Sequence, residues 1–194
     1  KEYHEAATPK AVIDYAFHII LSEVDAGMLG QDLPALIRDG YTSFKVFMSY
    51  DGLRMDDRSI LSLLDMAQRE GALIMVHAEN HDCIAWLTDR LLESGQISPY
   101  FYSDAHSEAG EREATYRAIA LAEVARAPVL IVHVSTDEAT EEIRRAQAKG
   151  LPVLAETCPQ YVALDASQLD QPGFEGAKFV CSPPPRTEAS REAI

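Results

Sequence analysis

Along the chain, short apolar runs rich in β-branched side chains alternate with longer stretches whose apolar positions recur at helical spacing. The runs predict strands over residues 12–21 (VIDYAFHIIL), 43–48, 73–77 (LIMVH), 128–134 (PVLIVHV) and 152–156, with a sixth candidate at 177–181. A short helix is expected over about 31–38, closed by the Asp39-Gly40 turn. Asp56 and Asp57 open the helical pattern RSILSLLDMAQRE, and Gly71 ends it. Asn80 is placed to cap a helix carrying Ile84, Trp86, Leu87 and Leu91. After the loop ISPYFYSDAHS a long helix is expected over about 108–126, and Thr136 or Asp137 caps EATEEIRRAQAK, stopped by Gly150. Repeated strand-helix-strand units mean a parallel sheet with right-handed crossovers, either a (β/α)8 barrel or an open doubly wound sheet. Neither GxGxxG nor GxxxxGK[ST] occurs, so a nucleotide-binding version has no support.

Composition narrows the class. A hydrophobic share of 47% with 25% charged residues fits a globular, core-forming domain. The net charge of -14 argues against nucleic acid, which needs clustered Lys and Arg, and against docking on an anionic membrane. The first residues, KEYHEAATPK, lack the basic-then-apolar layout of a signal peptide. Cys83, Cys158 and Cys181 form no CxxC pair and read as reduced, structural thiols of a cytoplasmic protein.

Three strands carry an unusual polar residue. Lys45 sits inside SFKVFM, His77 closes LIMVH, and His133 lies within LIVHVS. Alternation puts Ser43, Lys45 and Phe47 on one face and Phe44, Val46 and Met48 on the other, so Lys45 has little access to water unless near a strand end. Singly, each has a bland explanation: a hydrogen-bonded core histidine, or a lysine reaching out along a sheet edge. A parallel sheet, however, gathers its carboxyl strand ends on one face, where active sites sit. Two neutral imidazoles suit zinc, and an anionic oxygen ligand would complete a site with an open water position. An ammonium cannot ligate a metal, but a neutral lysine amine can add carbon dioxide to form a carbamate whose oxygens could bridge two cations.

The blocks SFKVFMSY, MVHAEN, VHVS, AETCPQY and FEGAKFVCSPPPR resemble, in order and spacing, segments of dihydropyrimidinases and D-hydantoinases, cyclic amidases of the amidohydrolase superfamily. The resemblance covers nearly the whole chain and implies a metal-dependent (β/α)8 TIM barrel. It implies that Lys45 is the carboxylated lysine bridging two zinc ions, with His77 and His133 as imidazole ligands of one of them. Tyr50 corresponds to a catalytic tyrosine that donates to the substrate carbonyl as it becomes an oxyanion. Ser182 corresponds to a serine whose backbone contacts the ring amide of the substrate. Asn80 reads as a helix cap, and Glu79 is given no catalytic role.

The family's HxH pair, terminal Asp and substrate-contacting Asn have no counterparts here. The upstream histidines, His4 and His18, form no HxH. By this pattern residues 1–194 are a partial catalytic barrel domain holding about strands 3 to 7 of eight. The chain reads as part of a longer enzyme, with a natural short relative as the alternative. The expected reaction of the parent is opening of a dihydropyrimidine or hydantoin ring to an N-carbamoyl amino acid. The isolated chain is expected to be inactive, to hold one zinc or none, and to self-associate through its open edges; the family implies a homotetramer. Two other readings stay open: an oligomeric scaffold that has lost catalysis, against which the presence of Lys45, His77 and His133 speaks, and an allantoinase-type amidase.

Overall fold

The computed structural model describes residues 2–194. Its centre is a five-stranded parallel sheet in the order β1-β2-β3-β4-β5, formed by Ile19–Ile20, Ser43–Phe47, Leu73–His77, Val129–Ile131 and Val153–Ala155. Nine α-helices accompany it among the described residues: α1 (Glu2–Ala7), α2 (Leu33–Arg38), α3 (Asp57–Glu70), α4 (His81–Glu93), α5 (Phe101–Ala105), α6 (Glu108–Ala125), α7 (Asp137–Ala148), α8 (Pro159–Ala163) and α9 (Glu188–Ala193). No helix among the described residues is long and apolar enough to cross a membrane.

Local chemistry accounts for the helix ends. Asp56, Asn80, Ser107 and Thr136 each accept a backbone N–H from the first turn of α3, α4, α6 and α7. Gly71 closes α3 in the left-handed region at φ 79°, where a side chain would cost about 1–2 kcal/mol. Where the helical signal was weaker, the outcome is mixed. A π-helical turn, Met28–Asp32, precedes α2, and the expected loop after residue 97 contains α5.

Register explains which faces are covered. Ile19, Phe44, Ile74, Val129 and Val153 align across the sheet, and the last four are buried. They pack with Ile60, Leu63, Leu64 and Met66 of α3, Ala114 and Ala118 of α6 and Ile143 of α7. The next row, Ile20, Lys45, Met75, Leu130 and Leu154, faces the other way. That row lies on the face away from α3, α6 and α7, and its outer members Ile20 and Leu154 are 60% and 52% exposed.

Two predicted strands are corrected. The apolar run over residues 12–21 pairs only at Ile19–Ile20, and Val12 and Ile13 are exposed, so its hydrophobicity has no ladder to join. The candidate at 177–181 falls instead in a 3-10 turn, Glu175–Phe179. There Gly176 lies so close to the Leu169 carbonyl that only a residue without Cβ fits.

Candidate active site at the carboxyl strand ends

Lys45 stands on the face of β2 away from the helices, half-buried, with Nζ 4.0 Å from the centroid of the Phe47 ring. It is thus less enclosed than its place in an apolar run suggests. Desolvation still draws its pKa from 10.5 to about 8, opposed by the negative charge of Glu156. Near that pH a large fraction of the amine is neutral and nucleophilic.

His77 ends β3 on the same face, 2% exposed. His133 lies two residues beyond β4, where alternation from Val129 and Ile131 would aim it at the helices. A left-handed backbone at His133, φ 43°, redirects the chain, and its ring meets that of His77 edge-on with centroids 4.5 Å apart. Tyr50 also has positive φ, 74°, and its ring centroid is 5.0 Å from that of His77. Two of the three non-glycine residues with positive φ among the described residues therefore flank one imidazole. Such strain is held only where surrounding structure enforces it, and it concentrates at functional sites.

His133 Nδ1 is buried and makes no well-formed hydrogen bond among the described residues, the backbone of His133 itself being its weak polar neighbour. Burial, together with the neighbouring charges of His77 and Lys45, pulls the His133 pKa from 6.5 to about 3. Burial likewise lowers that of His77, against the opposing pull of Glu79. Both rings are therefore neutral imidazoles with lone pairs to offer at physiological pH. A histidine whose pKa is depressed on folding resists a proton that the unfolded chain accepts, so its linkage favours the fold above about pH 6.5. In the metal-stripped protein the urea midpoint should fall steadily as pH drops from about 6.5 towards 3. A flat midpoint across that window would contradict the buried, neutral assignment.

Ser182 is partly buried in the loop after the 3-10 turn Glu175–Phe179, and its hydroxyl turns inward. Its Oγ donates to Glu79 Oε2 at 2.8 Å, lies 3.4 Å from His106 Nδ1, and sits beside the phenols of Tyr50 and Tyr102. Glu79, 1% exposed, also accepts from His77 Nε2 at 2.6 Å and His106 Nδ1 at 2.8 Å. Burial alone would raise the Glu79 pKa; the hydrogen bonds from His106 and His77 outweigh it and hold the carboxyl far below the usual range. His106 stacks on Tyr102 with centroids 4.2 Å apart. The structure thus brings Lys45, Tyr50, His77, His133 and Ser182 to one end of the sheet and adds Glu79 and His106. The signal for Glu79 lay in its spacing: two residues past His77, just after a strand end, it can return to the same side. His106 carried no comparable signal.

A second buried network anchors the Ser182 loop. Arg186, 4% exposed, donates from Nη2 to Glu111 Oε2 at 2.8 Å, from Nε to Ser135 Oγ at 2.9 Å, and from Nη1 to the His106 carbonyl. Ser135, two residues after His133, donates its N–H and hydroxyl to the two Glu111 oxygens at 2.8 and 2.5 Å.

A parallel β/α sheet with an imidazole pair, a lysine and a phenol gathered at its carboxyl ends is part of a (β/α)8 barrel of the amidohydrolase type. The chain is a homologue of the D-hydantoinases and dihydropyrimidinases. It is 47% identical to the D-hydantoinase of Geobacillus stearothermophilus over 99% of its own length and 41% of that protein's. The D-hydantoinase structure from Bacillus sp. AR9 superimposes with a TM-score of 0.94 at 44% identity, covering 98% of this chain and 42% of that one. The dihydropyrimidinase of Brevibacillus agri NCHU1002 gives 0.93 at 42% identity, with 98% and 42% covered. The chain thus spans about two fifths of the length of the curated relatives it matches. No protein-family model matches it.

Proposed function

We propose that the whole protein containing this chain is a metal-dependent hydrolase that opens cyclic amides of the hydantoin or dihydropyrimidine kind. The single observation that carries this reading is the imidazole pair: His77 and His133 packed edge-on, neutral and buried, with no well-formed hydrogen bond to His133 Nδ1 among the described residues. A buried ring nitrogen without a partner is costly in a folded protein unless it serves as a ligand. Among the described residues, no group of three His, Cys, Asp or Glu is arranged to hold a metal. Lys45, close enough to both rings to act on their charge, supplies a ligand of another kind if its neutral amine adds carbon dioxide. The new N–C bond forms as one proton leaves, giving an anionic carbamate. In this reading His77, His133 and carboxylated Lys45 hold zinc, which when bound polarises a carbonyl and lowers the pKa of water.

The chain's own residues then have defined tasks. Tyr50 points a phenol donor toward the place where the substrate carbonyl gathers charge, and Ser182 fixes the ring amide. The cyclic amide is the chemistry named for the relatives; the protein is taken to be cytoplasmic, to form a homo-oligomer, and to use residues 1–194 as part of one barrel domain. The whole protein should contain about two zinc ions per chain, as in two-metal hydrolases. Lys45→Ala should lose most of that metal, measured by elemental analysis after gel filtration. Full stoichiometry in Lys45→Ala would sink the assignment.

A further inference from the structure

His77, His106 and Ser182 come from β3, from the residue after α5 and from a loop far along the chain, yet all three direct a hydrogen at one carboxylate. An ionised carboxylate only accepts, so each imidazole must present an N–H to it: Nε2–H from His77 and Nδ1–H from His106. A neutral ring carries one proton. His77 is thereby left with its lone pair on Nδ1. The same Glu79 Oε2 that takes the His77 proton also takes that of Ser182, at 2.6 and 2.8 Å. The tautomer of one residue and the hydroxyl orientation of the other are therefore set by one buried atom. Tyr102 closes the far side by stacking on His106, leaving Glu79 1% exposed and without access to competing water.

We propose that Glu79 is a positioning residue that fixes His77 as a Nδ1 ligand and ties that ligand to the substrate-facing Ser182 loop, with His106 as its second anchor. The inference deepens the metal-hydrolase reading above and rests on it for the identity of the ligand. The fixing of the His77 tautomer needs no metal and can be observed without one. Carboxylates that hold ligand histidines typically matter by about 10–100-fold in metal affinity or activity.

The test uses the whole protein with Glu79→Ala and Glu79→Gln, each checked for folding by its thermal transition. Histidine tautomers are read from nitrogen chemical shifts in the metal-free state, and zinc affinity from chelator competition. Glu79→Ala should turn His77 from Nε2–H to a mixture of tautomers and weaken zinc binding about 10–100-fold. In Glu79→Gln the amide can keep its oxygen toward His77 and Ser182 only by turning its NH2 toward His106. His77 should then keep its tautomer, His106 should move its proton to Nε2, and part of the affinity should return. If Glu79→Ala does not fold, the His106 switch in Glu79→Gln carries the test alone. Unchanged tautomers in the folded variants, with zinc affinity within about twofold of wild type, would overturn the proposal. Tautomer changes in a protein that binds no zinc, wild type included, would instead overturn the metal reading and leave the positioning of His77 standing.

Discussion

Replacing Arg186 by methionine is expected to destabilise the protein by about 3–5 kcal/mol, the usual cost of breaking a buried ion pair from one side. Arg186 and Glu111 are each almost wholly enclosed, with side chains 3% exposed, so neither charge can turn to solvent when its partner is lost. Burial already pushes the Glu111 carboxyl upward, and the Arg186 charge is the largest influence opposing it. Methionine preserves much of the volume and removes every donor, leaving Glu111 to take up a proton or to admit water. Ser135 would retain its two bonds to Glu111, whereas the His106 carbonyl would lose its guanidinium. The double substitution Arg186→Met with Glu111→Leu should recover part of the loss, because it removes the stranded charge but leaves the Ser135 N–H and hydroxyl without their acceptor. Denaturant unfolding of the single and double variants measures both effects. A single-variant loss below about 1 kcal/mol would mean that the pair is solvated in solution.

In the whole protein, and on the role proposed above for its phenol, Tyr50→Phe is expected to lower kcat by about 100–1000-fold with little change in KM, the signature of a donor that matters only as negative charge develops. The phenol suits that role because burial raises its pKa to about 12, so it keeps its proton throughout the working range. Its left-handed backbone presents the ring against His77 rather than outward with the rest of the turn at residues 51–53. Phenylalanine keeps that packing and deletes only the hydroxyl, which separates chemistry from structure. Steady-state kinetics on a hydantoin and on a dihydropyrimidine provide the measurement. A kcat within about threefold of wild type on both would remove Tyr50 from the reaction.

Much of the architecture was legible because two periods of hydrophobicity coincide with strong punctuation. LIMVH is a strand from Leu73 to His77 as expected, and the caps Asp56, Asn80 and Thr136 lie where side-chain oxygens precede helical patterns. The differences lie where apolar content predicts a strand but no neighbouring strand offers hydrogen bonds. That holds for residues 12–18, and the run at 177–181 is overridden by the tight approach of Gly176 to Leu169. At the site, Lys45 and His77 could be placed from alternation alone. His133 could not, because its orientation depends on a single left-handed backbone step. Glu79 and His106 were invisible as a pair: their 27-residue separation closes only when α5 packs on α4 and brings the residue after it to the end of β3.

The strand order carries a consequence for how the chain is made. Within the described sheet each strand from β2 to β5 pairs with the one synthesised just before it, so none of these pairings waits for a distant partner. Loop closures are then of moderate length and follow one another along the sequence, an arrangement that favours orderly growth over long searches. As synthesis proceeds, β2 can dock on β1 and α3 can seal it before β3 exists. The Ser182 loop and Arg186 follow all five strands, reaching back to Glu79 and Glu111 across 103 and 75 residues of sequence. These five strands can therefore pair before Ser182 and Arg186 are made, and the Glu79 and Glu111 networks close only when that segment arrives.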